Sequence, residues 1–292
     1  MSNPTISTDA KIGNLFLEFP IQPPFDVTDA LDATAMTVLP FSDGLTLGWK
    51  VNPMLFVDGL GRDLALYCPT IVLTGGKNTS ESDVHLYAVA AFYDENNRLL
   101  SAQTSRHLVG VGELYDIPGL VSRFPCPVQL ISKASVTLFF SGIESWDAPK
   151  LHLFPIQTRK TERENKTIPI ENLMFYHQIK RLVVPATGPL FTSEVLTGHN
   201  ALEIQLEKTE SHGNTFLSLS QRQKTSSKKR EFDCLVHYAL YHETGQLVHG
   251  GSCMGLANQG DFVSLSPIEP EILKETNLFL ELSVWEGPVG NL

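Results

Sequence analysis

The stretch "FYDENNRLLSA", residues 92–102, has a near double in "LYHETGQLVHG", residues 240–250. The two align without a gap. Tyr93 falls on Tyr241, a displacement of 241 − 93 = 148, and the same displacement sets Glu95 on Glu243, Leu99 on Leu247 and Leu100 on Val248. It also sets Asn97 on Gly245. That last pairing has a physical meaning, because a short hairpin often closes with a type I turn followed by one left-handed residue. Glycine enters that region freely, and asparagine is among the few other residues that tolerate it. Upstream, "VHLYAVAAFY" and "FDCLVHYALY" are apolar and aromatic-rich, as strands covered on at least one face are. Each copy reads as strand, tight turn, strand.

The correspondence continues outward. "SVTLFFSGIE" (135–144) resembles "NLFLELSVWE" (277–286) at a displacement of 142, and "MTVLP" (36–40) resembles "RLVVP" (181–185) at 145, which also sets Pro24 on Pro169. The shared order of these matches points to duplication within the chain. Both halves are built of short apolar runs broken by Gly, Pro, Asn and Asp, and "ALEIQLEK" and "TFLSLSQ" alternate with period two, as half-buried strands do. The expected fold is all-β: two tandem antiparallel β-sandwich domains of immunoglobulin, fibronectin-III or C2 type, with at most one or two short helices. The expected boundaries are an N-terminal extension over 1–23, repeats over 24–150 and 169–292, and a charged linker over 151–168 containing "TRKTERENKT". Two stretches carry helical spacing, "IENLMFYHQIKRL" (170–182) and, more weakly, "FDVTDALDATAM" (25–36); "LMFYHQI" serves equally as a strand.

Bulk properties narrow the partners. At 292 residues each half is large enough to bury its own core, and 42% hydrophobic against 18% charged is the balance of an ordinary globular chain. A net charge of −10 and a pI near 5.4 argue against nucleic acid and anionic membrane as partners, which need clustered Lys and Arg. No apolar run reaches the roughly 18 residues needed to cross a bilayer, and the N-terminus carries no basic-then-apolar leader, so a cytoplasmic protein is expected. The four cysteines, Cys68, Cys126, Cys234 and Cys253, are too scattered for a disulfide framework. Asn78 in "NTS" and Asn165 in "NKT" match glycan acceptors but read as ordinary loop residues.

Motifs that carry chemistry are missing. There is no phosphate loop, dinucleotide fingerprint, His-Glu-x-x-His or nucleophile elbow, and "GVGELYDIPG" (110–119) leads into proline and reads as a loop. Cys234-x-x-His237 with His249-x-x-x-Cys253 is the nearest approach to a metal cluster. Residues three apart on a strand point to opposite faces, so Cys234 and His237 are not expected to converge, and whether Cys234 and Cys253 share a face turns on a one-residue register. Asp43, Asp58, Asp63 and Asp94 could form a calcium cluster only if oxygens from two or more loops converged, and solvated turns are the simpler reading. His107, His152, His177 and His199 stand alone, and Trp49, Trp146 and Trp285 read as core or sheet-edge aromatics.

One basic concentration remains, "QRQKTSSKKREF", with Arg222, Lys224, Lys228, Lys229 and Arg230 as a candidate interaction loop. Residues 1–150 carry 9 Lys and Arg against 16 Asp and Glu, net −7, while 151–292 carry 13 against 16, net −3. This asymmetry makes head-to-tail self-association conceivable. The expectation is a non-enzymatic structural or assembly subunit, or a protein-binding module. Its partners would be other proteins or copies of itself, with no catalytic residue, cofactor or metal and no nucleic acid. A carbohydrate- or other ligand-binding module is the alternative, and an enzyme with a site at the junction of the halves the third.

Overall fold

A computed structural model describes residues 6–9, 14–20, 29–31, 35–38, 45–57, 63–115, 117–121, 130–141, 150–153, 158–160, 174–184, 189–196, 201–212, 214–223, 232–255, 262–268 and 277–288. Among these residues the twenty regular elements are all strands. In chain order they begin with β1 Ile6–Asp9, β2 Asn14–Pro20, β3 Asp29–Leu31, β4 Ala35–Val38, β5 Thr46–Val57, β6 Asp63–Thr74, β7 Val84–Tyr93, β8 Leu99–Val109, β9 Ile117–Val121 and β10 Lys133–Ser141. They continue with β11 Lys150–Leu153, β12 Thr158–Lys160, β13 Met174–Val183, β14 Pro189–Leu196, β15 Ala201–Ser211, β16 Asn214–Gln223, β17 Phe232–His242, β18 Leu247–Gly255, β19 Phe262–Ile268 and β20 Asn277–Pro288.

The sheets are antiparallel. In the first half the orders are β1-β2-β10-β7-β8 and β11-β4-β5-β6-β9; in the second they are β13-β20-β17-β18 and β14-β15-β16-β19. With β2 and β4 to β10 numbered one to eight in the first half, and β13 to β20 in the second, both halves follow 1-8-5-6 and 2-3-4-7. This is not the immunoglobulin order, whose sheets are A-B-E-D and C-F-G. Here the first strand pairs with the last. Residues 14–20, read from sequence as part of an extension, lie in the first half's sheet against β10, and Lys150–Leu153 pairs with β4. Within the stretch read as a charged linker, Thr158–Lys160 pairs with β3.

The two quoted hairpins are equivalent in detail. Each has a register shift at the same point, Phe92/Tyr93 and Leu240/Tyr241, after which Tyr93 faces Leu99 and Tyr241 faces Leu247. Further out, the displacements read from sequence do not hold. Tyr93 pairs with Lys133 and Tyr241 with Phe279, so the last strands correspond at 279 − 133 = 146 rather than 142. "MTVLP" begins in β4 and "RLVVP" in β13, which occupy different sheets. The segment 170–182, which reads in sequence as helix or strand, is strand β13 throughout its described residues, paired one for one with β20 from Met174↔Glu286 to Val183↔Asn277. Its Phe, Tyr, Ile and Val suit a pleated edge, and pairing of the whole strand outweighs a weak local helical spacing. Within 25–36, residues 29–31 and 35–36 are also strand.

The core sits between the two β7/β17-containing sheets and on either side of them. β7 is buried along both faces: Tyr87, Val89, Ala91 and Tyr93 join the cluster formed by β17, β18 and β20, while Leu86, Ala88, Ala90 and Phe92 are buried on the opposite face. Burying each large apolar side chain contributes about 1.5–3 kcal/mol. The aromatic-rich, non-alternating "VHLYAVAAFY" is therefore a strand enclosed from both sides. β18 packs against β7, β8 and β10, and β17 and β20 pack against β8, so the inner sheets of the halves meet.

Candidate functional site

The densest array of buried polar groups lies where those inner sheets meet. β18 is the last strand of its sheet, and an edge strand leaves backbone groups to be satisfied. Side chains of the first half satisfy them. Thr137 Oγ1 donates to Leu247 O at 2.6 Å, Tyr87 Oη donates to Val248 O at 3.2 Å, and Thr104 Oγ1 donates to Gly250 O at 2.6 Å while accepting from Gly250 N at 2.9 Å. Ser252 Oγ donates back to Ala102 O at 3.0 Å. Gly250 is required by this approach, because a Cβ there would lie 2.7 Å from Ala102 Cβ.

Two histidines lie inside the seam, both fully buried. His249 Nδ1 contacts the Tyr87 hydroxyl, and Nε2 lies 3.0 Å from the Tyr238 hydroxyl. With Tyr87 donating to Val248 O, the tautomer that satisfies every contact carries its proton on Nδ1 and accepts from Tyr238 at Nε2. His237 Nδ1 donates to Ser252 Oγ at 2.5 Å, while its Nε2 is buried without a hydrogen-bond partner. Burial holds both imidazoles down at about 3, so both are neutral at physiological pH. At the far end of the seam Glu281 Oε1 accepts from Leu99 N at 3.1 Å and contacts His177 Nε2 at 2.7 Å, joining β8, β20 and β13. These groups fix the packing of one half on the other, and all but the partly exposed His177 are closed to solvent.

The sequence-selected cysteines and histidines divide between faces. The register Val236↔Cys253 and Cys234↔Gly255 puts Cys234 and Cys253 on one face, and His237↔Ser252 puts His237 on the other. Both cysteines are buried and neither is in a disulfide, and burial pushes the Cys253 thiol well above its ordinary value. Among the described residues no three metal-ligating side chains come together. Asp94 is a turn cap: its carboxylate accepts from Asn96 N at 2.9 Å, Arg98 N at 2.8 Å and Arg98 Nε at 2.7 Å. Asp63 begins β6, whereas Asp43 and Asp58 lie outside the described residues. His107 contacts Ser105 Oγ at 2.7 Å, and burial lowers its pKa. His152 is in β11, and His199 lies outside the described residues. Trp285 packs on Phe175 with ring centroids 4.5 Å apart, Trp49 is in β5, and Trp146 lies outside. Of the basic loop, Arg222 is exposed at the end of β16, across from Glu203 on β15; Lys224, Lys228, Lys229 and Arg230 lie outside the described residues.

A second locus escaped the sequence reading. Asn78 is 1% exposed and makes six hydrogen bonds, three within the loop 75–83 and three that reach across to Val109, Gly112 and Glu113. Its N–H donates to Glu113 O at 2.8 Å and its carbonyl accepts from Gly112 N at 2.9 Å. Nδ2 donates to Ser82 O and Val109 O, both at 3.0 Å, and Oδ1 accepts from Ser80 N at 3.1 Å and Ser80 Oγ at 2.6 Å. Asp83 Oδ1 accepts from Val111 N at 3.0 Å, and Glu113 Oε2 accepts from Gly110 N at 2.8 Å. A glycan on Nδ2 is incompatible with this packing. The corner holds three large apolar side chains out in solvent, Leu108 at 57%, Val111 at 55% and Leu114 at 65% exposed. The "NTS" triplet and the loop "GVGELYDIPG" were visible in sequence, but nothing in them signalled that they interlock.

No protein-family model matches this chain, and no curated protein matches its sequence. Solved structures align with it only loosely. A tryptophan-to-tyrosine variant of the oxalate decarboxylase of Bacillus subtilis aligns at 10% identity over 91% of this chain and 80% of its own, with a TM-score of 0.12. The oxalate decarboxylase of Lactobacillus farciminis in its formate complex aligns at 9% identity over 93% and 90%, with a TM-score of 0.11. Similarity at this level carries no argument about fold or activity.

Proposed function

We propose that this chain is a non-enzymatic assembly subunit built of two β-sandwich units from one duplicated module, and that its partners are proteins, foremost further copies of itself. The observation that carries this reading is the Asn78 corner. Exposed apolar side chains are common singly, but here three fall within residues 108–114, beside a framework held by more than half a dozen hydrogen bonds. A platform ordered before binding avoids the entropic cost that weakens association through mobile loops. Duplication is supported by the common strand order of the halves and by the matched hairpins. The enclosed histidines support a structural reading of the seam, since a substrate reaching His237 or His249 would first have to part the halves. Light scattering across a concentration series tests the proposal. Mass rising with concentration is expected; a clean monomer at every concentration and salt would reject self-assembly.

A further inference from the structure

Among the residues whose burial is described, the exposed large apolar ones fall in two places. Leu108, Val111 and Leu114 stand on the Asn78 corner of the first half; Ile179, 62% exposed, and Val183, 70% exposed, stand on β13 of the second. β13 is the edge of its sheet among the described strands, and the opposite edge, β18, is covered by the first half through the seam. Ile179 and Val183 lie on one face of β13 with Arg181 between them, by the alternation of a strand. Their opposite-face neighbour Lys180 stacks its ammonium over the Phe191 ring, 5.0 Å from the centroid. The strand "MFYHQIKRLV" contains no acid.

The two patches differ in charge. The corner is flanked by Glu81, Asp83 and Glu113, all exposed, against Lys77. The exposed face of β13 presents Arg181 between Ile179 and Val183, and the carboxylate across from Ile179, that of Glu281, is buried against His177. Two apolar patches of opposite flanking sign, on different halves of one chain, are complementary to each other and not to themselves. The geometry points to a heterologous contact in which the Asn78 corner of one molecule docks on the exposed face of β13 of the next. This rests on the assembly reading above and gives it a direction. Joining unlike surfaces leaves one of each free, so the contact propagates head to tail into a ring or filament. Charged rims steer the encounter and apolar centres hold it, so the contact weakens with salt without vanishing.

Two variants placed at exposed positions test it, Leu114→Glu on the corner and Val183→Glu on β13. Each carries one spoiled and one intact surface. In sedimentation velocity the unaltered chain is expected to show species above monomer at low salt. Each variant alone should lose them, with an apparent dissociation constant raised at least about tenfold. A one-to-one mixture should give a species of twice the monomer mass and nothing larger, because only one productive contact remains per pair. Thermal midpoints equal to that of the parent establish folding, and Leu108→Ser repeats the corner test with a milder change. If either variant assembles as the parent does, or if the mixture stays monomeric, the head-to-tail contact is wrong while assembly through another surface stands. If the parent itself is monomeric at every salt and concentration, both proposals fall together.

Discussion

Asn97 and Gly245, 148 positions apart, close the same bend: φ is 57° at one and 86° at the other, and each N–H returns to the residue three before it, Asp94 O at 3.0 Å and His242 O at 2.9 Å. The residue opening the turn also closes it, with Asp94 N donating to Arg98 O and His242 N donating to Gln246 O. Even the side-chain cap is kept across a change of chemistry. Asp94 Oδ1 accepts from Asn96 N, and His242 Nδ1 accepts from Thr244 N, each two residues on.

This equivalence predicts which substitutions the turns accept. A Cβ at Gly245 would meet nothing within 4 Å, so the cost of a side chain there is backbone strain alone. Gly245→Ala is expected to destabilise by about 1 kcal/mol, Gly245→Asn by distinctly less, and Asn97→Gly to be close to neutral. Urea midpoints of the three variants check the order. Equal losses for Ala and Asn at 245 would mean that left-handed geometry does not govern the bend.

The hairpins were legible because turn chemistry is local: a left-handed residue, a preceding acceptor and a flanking tyrosine all lie within a few positions. The last strand was misaligned by four residues, 142 against 146, because a strand displaced by an even number still puts the same residues inside. Apolar alternation cannot detect that slip. The β4/β13 confusion has a similar origin, since "MTVLP" and "RLVVP" describe any short strand ending in proline. The seam was invisible for a different reason. Tyr87, Thr104 and Thr137 meet β18 more than a hundred residues away, and each reads locally as an ordinary strand residue. The corner depends on Asn78 being buried, which no neighbour in sequence dictates.

The seam makes a second prediction. A methyl group at Gly250 would lie 2.7 Å from Ala102 Cβ and 3.2 Å from Tyr238 O, so Gly250→Ala must push β18 off β8. The expected loss is about 1–3 kcal/mol, the usual range for overpacking. Ala102→Gly removes the atom in the way, so the double variant should be more stable than the sum of the singles requires, by about 1 kcal/mol. A double-mutant cycle in urea measures this coupling. Strict additivity would show that the halves do not meet at these atoms.

Acid should unlock the seam through its histidines. In the unfolded chain an imidazole titrates near 6.5, whereas burial depresses His237 and His249 to about 3 in the folded state. Above the unfolded value both states are neutral and the histidines add no pH dependence. As pH falls below it the unfolded chain takes up a proton at each and the native chain does not, so stability falls by about 1.4 kcal/mol per pH unit for each histidine until the folded value is reached. Carboxylates titrate over part of the same range, so the comparison must isolate one imidazole. His237→Asn does so, because an amide can keep the contact to Ser252 Oγ without titrating. Urea midpoints taken from pH 7 to pH 4.5 should give a shallower decline for the variant than for the parent, by about 1.4 kcal/mol per unit. Parallel curves would mean that His237 is reached by water in the native state, and the seam would then be an open cleft rather than the closed joint between the halves.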